Sequence, residues 1–344
     1  MSNDTELKVG WLVSNVRTND FEELFTTELA SSRMRAGVCI SGCQKANIKV
    51  YPLNFREPDH NPNLVFMAKY VPDSNTGQYL DDSGKRWDFW LKKIQLLSKK
   101  KGKLILDYTD NHFVNSGIVG DFYRKIKPMV HSLVLPSERM KKNIAQTWTG
   151  KTYIIPEPVE VDFIPPGNRQ IQESTALWFG HITNLGWLLE FMQTELHKAP
   201  PRHLIILVNN QPADLVREAA KNAPKGMKIT MAKWTVDTMR KAAKISHYSI
   251  IPSNKDDPRK SGVSPGRLLT SLAMGLPVLS SPLDSYMPFK DFFSMIGTDE
   301  GLNLMKNPLG RETMILKAQK LIKENYTVES IEKEWVKIIK DQDT

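Results

Sequence analysis

Along this chain of 344 residues, apolar positions gather into short consecutive runs separated by stretches with helical spacing. The runs "KVGWLVS" (Lys8–Ser14), "NIKVYPL" (Asn47–Leu53), "LVFMAKY" (Leu64–Tyr70), "KLILDYT" (Lys103–Thr109), "SLVLPS" (Ser132–Ser137) and "TYIIPEP" (Thr152–Pro158) predict strands. Amphipathic helical patterns cover Phe21–Gly37, Trp87–Ser98 and Glu138–Thr147. Such alternation predicts a parallel, doubly wound sheet.

A polar, proline-containing stretch, "DFIPPGNRQIQES" (Asp162–Ser174), breaks the pattern and reads as a linker. The alternation then restarts. "TALWFG" (Thr175–Gly180), "HLIILVN" (His203–Asn209), "MKITMA" (Met227–Ala232), "HYSIIPS" (His247–Ser253) and "PVLSS" (Pro277–Ser281) predict strands. Helices fit Leu185–His197, Ala213–Asn222, Val236–Ala243 and Pro265–Met274, and two more close the chain at Arg311–Glu324 and Val328–Lys340. The expected fold class is α/β: two Rossmann-like, doubly wound parallel-sheet domains facing a cleft. The expected domains are 1–160, a linker over 161–174, a second domain over 175–325, and a C-terminal helix over 326–344 that packs back on the first domain. Open sheets of this kind bind ligands beyond the carboxyl ends of their strands.

Within the second half, "KSGVSPGRLLTSLAMGLPVLSSP" (Lys260–Pro282) reads as loop, helix, glycine stop and buried strand. Ser264 suits the N-cap and Pro265 the first helical position, and Gly275 ends the helix. The third helical position favours an acid, yet it holds Arg267, with Arg259 and Lys260 just upstream. An arginine there without an anion loses about 0.3–1 kcal/mol against the helix dipole. The bland account is an arginine that reaches solvent or pairs with Asp256 or Asp257.

Charge widens the question. The net charge is +9 and the isoelectric point about 9.3, which favours anionic partners such as phosphorylated small molecules, anionic lipid or nucleic acid. The densest cationic cluster, "LKKIQLLSKKKGK" (Leu91–Lys103), reads first as a solvated helix end. No apolar run reaches the roughly 18 residues of a membrane span. The first ten residues lack the blocks of a signal peptide. Cys39 and Cys43 form neither a disulfide framework nor a zinc site and read as free thiols in a reducing cytoplasm.

The order of elements and several motifs resemble the GT-B glycosyltransferases, especially their large retaining branch. "ALWFGHITNLGWLLEFM", "KWTVDTMRKAAKISHYSIIPSNKDD" and "GRLLTSLAMGLPVLSSP" resemble that family's first glycine loop, base-binding segment and donor-phosphate helix. "SSRMR", "LDYTDNH", "LVLPSERMKKNI" and "YIIPEPVEVD" resemble strands and turns of its acceptor domain. The resemblance implies transfer of a sugar from a nucleotide-diphosphate sugar to an acceptor hydroxyl, without a bound metal or other cofactor. The acceptor classes it leaves open are a polysaccharide, a glycolipid and a small molecule. It implies donor contacts from Gly180, His181, Trp234, Pro252, Ser253, Arg259, Lys260, Ser264, Gly266, Arg267 and Thr270. The retaining branch usually carries two glutamates eight positions apart. Aligned on "LAMGLPV", those places hold Gly262 and Thr270, neither acidic.

For the chemistry, the best acidic cluster is "LDYTDNHF": Asp107, Asp110 and His112 follow an apolar strand and are candidates to orient an acceptor or act as a base. A cap suits Asp110 and His112 equally well, and Asp107 better than chemistry does. Arg33 and Arg35 are candidates to reach donor phosphate or an anionic acceptor, or are two surface arginines. Trp234 suits base stacking or core packing. Two alternatives stand beside the enzyme. One is a nucleic-acid-modifying glucosyltransferase of the same fold, motivated by the basic charge. The other is a catalytically inert binding protein, motivated by the missing glutamates. The charge also favours a peripheral contact with an anionic membrane.

Overall fold

Eleven of the twelve strands fall on the predicted runs, usually shortened by a residue or two. The structure is a computed structural model, which describes residues 7–13, 22–26, 30–53, 62–70, 81–167, 174–209, 213–257 and 262–342. Among these residues the chain divides into two compact units. The first draws on 1–158, 262–264 and 328–344, the second on 159–261 and 265–327.

The first unit contains β1 (Lys8–Leu12), β2 (Lys49–Pro52), β3 (Leu64–Met67), β4 (Lys103–Asp107), β5 (Ser132–Leu135) and β6 (Lys151–Ile154). They form one parallel sheet in the order β2-β1-β3-β4-β5-β6. Alternate residues supply its two faces, so consecutive residues are apolar. Val9, Trp11, Leu64, Phe66, Ile105 and Val134 pack on one side. Leu12, Val65, Met67, Leu104, Leu106, Leu133 and Leu135 pack on the other.

The helix expected over Phe21–Gly37 is not uniform in type among the described residues. Glu22–Thr26 is a short α-helix, and Ser32–Gly37 winds as a π-helix running straight into an α-helix over Val38–Lys45. Wide turns of this type recur at functional sites, and apolar spacing does not mark them. Cys39 and Cys43 lie buried on the Val38–Lys45 helix as free thiols. The last helix, Val328–Asp341, packs against the same helix: Trp335 stands edge-on to Trp11 at 5.8 Å, and Glu332 accepts from Lys45 Nζ at 2.7 Å. A helix over Gly117–Ile126 was not anticipated.

The second unit contains β7 (Thr175–Gly180), β8 (His203–Val208), β9 (Lys228–Lys233), β10 (Tyr248–Ile251), β11 (Val278–Ser280) and β12 (Ser294–Met295), all parallel, in the order β12-β11-β10-β7-β8-β9. The edge strand β12 has only two residues and no sequence signal of its own. Residues 161–167, expected as linker, belong to this unit: Val161 is buried and Ile164 N–H donates to Ala273 O at 2.9 Å. No helix among the described residues is long and apolar enough to cross a membrane.

The helix expected over Pro265–Met274 runs from Gly266 to Ala273, one residue shorter at each end. Pro265, not Ser264, occupies the N-cap position, and no side chain caps the helix. Ser264 groups with the first unit, and its buried hydroxyl makes no hydrogen bond to a described residue. Gly275 ends the helix with φ +74°, and a Cβ there would lie 2.5 Å from Ile164 O. Only glycine fits both conditions.

Candidate functional site

In the first unit, ionisable groups collect at the carboxyl ends of β3, β4 and β6. Asp107 is the last residue of β4 and is 2 % exposed. Arg35, from the π-helix, is fully buried and donates from Nε at 3.0 Å and from Nη2 at 2.6 Å to Asp107 Oδ1. Its Nη1 donates to Ile155 O, and its guanidinium lies 5.1 Å from the Trp335 ring centroid. Arg35 therefore corrects the expectation of an arginine reaching phosphate: its donors are taken up inside the unit. Burial pushes the Asp107 carboxyl up, and Arg35 pulls it back. The pair reads as a buried ion pair that shapes the site, and Asp107 has no exposed face to offer a substrate.

Asp110 and His112 are arranged differently. Lys69, just past β3, contacts Asp110 Oδ2 at 2.5 Å, and both are partly open to solvent. His112 is 6 % exposed and stacks on Tyr123 at 4.5 Å. Burial lowers its pKa to about 4, so the ring is neutral at pH 7. Asn115 Nδ2 donates to Nδ1 at 3.1 Å, which puts the remaining proton on Nε2. That Nε2 is buried without a hydrogen-bond partner and lies 4.0 Å from Asp110 Oδ2. With so low a pKa, His112 is a weak proton acceptor at neutral pH.

Glu157 was not anticipated. It follows β6 by three residues, between Pro156 and Pro158, and is half-buried. Burial pushes its carboxyl up, Arg35 and Ser264 pull it down, and Asp107 and Asp110 push it up again. Ser264 faces this carboxyl, yet its hydroxyl is not aligned into a hydrogen bond. The sequence signal was the "PEP" after a strand: a residue before proline is held extended, which aims its side chain. Arg33 is half-buried on the π-helix.

In the second unit the strand order reverses between β7 and β10, the usual ligand position in such sheets. Gly180 ends β7, and Pro252 and Ser253 follow β10. A Cβ on Gly180 would lie 3.4 Å from Arg267 Nη1, so the arginine at the second helical position lies against the end of β7. Nη1 is buried with no hydrogen-bond partner, and Arg267 makes no ion pair with any described residue, Asp256 and Asp257 included. Ser253 Oγ is a second buried, unpartnered polar atom, while Ser253 N–H donates to Ser281 Oγ at 2.9 Å. A buried guanidinium nitrogen that has no hydrogen-bond partner among the described residues and lies on the first turn of a helix could hold an anion.

The other expected donor residues scatter around this point. His181 is exposed, and its Nδ1 accepts from Thr183 N–H at 3.3 Å. Gly266 opens the helix beside Arg267. Thr270 is 5 % exposed, on the packed side of the helix. Trp234 lies past the end of β9, two strands from β7, and does not start the following helix: Thr235 caps Val236–Ile245 through a capping box with Thr238. Arg259 and Lys260 lie outside the described residues.

Gly262 has no room for a side chain, since a Cβ would lie 2.9 Å from Met140 Cα in the first unit. A side chain at this position would require the Met140 backbone to shift.

No family model matches the chain, and no curated protein does. Solved structures do. The chain is similar to HepE of Anabaena, crystallised with UDP and glucose, at 11% identity and TM-score 0.63, covering 97% of this chain and all of that one. It is similar to WaaG, a glycosyltransferase involved in lipopolysaccharide biosynthesis, at 10% identity and TM-score 0.61, covering 95% and 98%. It is similar to TarM at 13% identity and TM-score 0.58, where it spans only 54% of the other chain. The fold is therefore that of GT-B glycosyltransferases, with two Rossmann-like α/β domains.

Proposed function

We propose that the protein is a glycosyltransferase that moves a sugar from a nucleotide-diphosphate sugar to an acceptor hydroxyl. One observation carries the reading: the Arg267 guanidinium, unpaired among the described residues and lodged against Gly180 at the start of a helix. Leaving-group stabilisation is commonly a large part of such catalysis, and Arg267 with the helix amides supplies it. In this reading the cation and the helix do the work of a metal ion. HepE binds UDP and glucose in its crystal structure, which makes a UDP-sugar the first donor to test. The acceptor is a polysaccharide, glycolipid or small-molecule hydroxyl, and the basic charge supports one at an anionic membrane surface.

The test is a thermal-shift and calorimetric screen of UDP, GDP, ADP, TDP and CMP on wild type and Arg267→Ala. A ligand of the folded state at a hundred times its Kd stabilises by about 2.7 kcal/mol. One diphosphate should stabilise the wild type, and the substitution should weaken it at least about tenfold, since a charged hydrogen bond contributes roughly 1.5–3 kcal/mol. Equal affinity in both proteins would refute the anion site.

A second reading is favoured by Gly262. With a glycine in place of an acid there, the chain would be an inert protein that binds a sugar nucleotide. It expects binding without donor turnover.

A further inference from the structure

Lysines gather at one end of the first unit. Lys49, Lys8, Lys103 and Lys151 are the first residues of β2, β1, β4 and β6, so four of the six strands in this sheet open on a lysine. In the second unit only β9 does. Strands lie about 4.8 Å apart, so the row from β2 to β6 is about 24 Å long. Two helices carry the charge to either side of it. The helix Asp81–Lys99 packs on one face of the sheet through Trp90, Ile94 and Leu97, and the helix Val328–Asp341 on the other through Trp335 and Ile339. The first leads through Gly102 into β4, with Lys99, Lys100 and Lys101 exposed. The second ends where Lys103 Nζ donates to Gln342 O, with Lys337 and Lys340 exposed. Asp341, an acid at the same end, accepts from Lys151 Nζ at 3.1 Å. A helix C-terminus favours lysine for its own sake, but a strand start gives no such reason.

Apolar side chains interrupt the lysines. Leu96, one turn before Lys100, is 38 % exposed. Pro128 is exposed and Met129 half-buried in the turn that leads into β5 and touches the helix Asp81–Lys99. No aromatic ring at this end is fully exposed among the described residues. Single-stranded nucleic acid is held by stacking on such rings, and a duplex takes a helix or ribbon into a groove. A broad cationic field with a few apolar side chains in it matches anionic lipid headgroups above an apolar boundary instead. We propose that the amino edge of the first unit's sheet is a docking surface for an anionic lipid bilayer. Lysine stems lie along the apolar boundary, and their ammonium groups meet lipid phosphate and carboxylate. Docking at this edge turns the carboxyl ends of the strands, with Asp110 and His112, away from the bilayer by about 17 Å, the length of the five-residue β4. The surface is separate from the donor site and does not depend on the glycosyl-transfer reading.

The experiment measures co-sedimentation of the full-length protein with sucrose-loaded vesicles, of phosphatidylcholine alone or with about 30 mol% phosphatidylserine, at low and high salt. Wild type is compared with two variants that lose the same charge. The edge variant carries Lys99→Gln, Lys100→Gln, Lys337→Gln and Lys340→Gln. The control, in the second unit, carries Lys221→Gln, Lys225→Gln, Lys228→Gln and Lys244→Gln, at residues equally exposed. Exposed substitutions of this kind leave stability nearly unchanged, which thermal unfolding checks. Wild type should bind the anionic vesicles at least about tenfold more tightly than the neutral ones and let go at high salt. A lysine at the surface contributes about fivefold, so the edge variant should lose at least about 20-fold even if some of the four stand off, and the control less than about threefold. A smaller loss in the edge variant, or equal losses in the two, overturns the placement, since net charge alone would then account for the binding. A wild type that ignores anionic vesicles, or binds neutral ones as well, overturns the choice of partner. So does a wild type that binds a short DNA duplex and no vesicle, with the edge variant losing the duplex, which makes this edge a nucleic-acid surface. No nucleotide enters these readouts, so docking and donor binding stand or fall separately.

Discussion

Replacing Arg35 with methionine tests the claim that this residue is internal structure and not a substrate contact. The change leaves Asp107 at 2 % exposure without the guanidinium that donates to it at 3.0 and 2.6 Å, and frees Ile155 O. Removing one partner of a buried pair costs about 3–5 kcal/mol. The methionine keeps part of the packing under Trp335. For a unit of this size, about 2–4 °C per kcal/mol gives a Tm lower by about 6–20 °C. The pH dependence gives a second, sharper signature. Burial already raises the folded-state pKa of Asp107, and losing Arg35 raises it further. The folded state then holds a proton that the unfolded chain releases. Stability is present below the unfolded pKa, near 3.9, and is lost as pH rises through the folded pKa. The gap between variant and wild type should therefore narrow on moving from pH 7.5 to 5.5. Urea unfolding followed by tryptophan fluorescence reads both, fitted with two transitions because two units unfold. The double substitution Arg35→Met with Asp107→Leu should recover much of the loss, since an apolar pair of similar volume is often neutral. A loss under about 1 kcal/mol at pH 7.5, or a gap that widens in acid, would falsify the buried-pair assignment.

Further outcomes follow from single residues. Gly275→Ala places a Cβ 2.5 Å from Ile164 O at φ +74°, and strain plus displacement should cost the second unit about 2 kcal/mol or more by urea unfolding; a loss under about 0.5 kcal/mol would contradict the close approach. The ring protons of His112 should show no titration by NMR between pH 6 and 8, because burial lowers its pKa to about 4. The unfolded chain takes up that proton near pH 6.5, so stability falls by up to about 3 kcal/mol as pH drops from 6.5 to 4. His112→Gln should flatten that fall, and an unchanged pH profile would show that the imidazole is charged in the folded state.

Much of the fold was legible along the chain. The runs at Thr175–Gly180 and His203–Asn209 became β7 and β8 almost to the residue, because strands buried on both faces have to be continuously apolar. The two-residue β12 and the helix at Gly117–Ile126 were not read: one is too short to carry a period, and the other opens on a glycine and two β-branched residues that are poor helix formers. The site was legible where backbone conformation and chemistry coincide in sequence. Arg267 stood out against the helix dipole, and Gly275 was marked as a stop. Glu157 passed unnoticed, because a glutamate between prolines reads as a turn until its neighbours are known.

By itself, the amino-acid order determined two parallel α/β sheets, the helix beginning just before Arg267 and the absence of acids at 262 and 270. These follow from local periodicity, backbone chemistry and identity. The tertiary structure alone decided which charges are occupied. Arg33 and Arg35 are equivalent in sequence, but only Arg35 is sealed against Asp107 and Trp335. Arg35 and Asp107 pair although 72 residues separate them. Whether a charge is neutralised, buried or left open depends on partners distant in sequence, and local pattern carries no record of them.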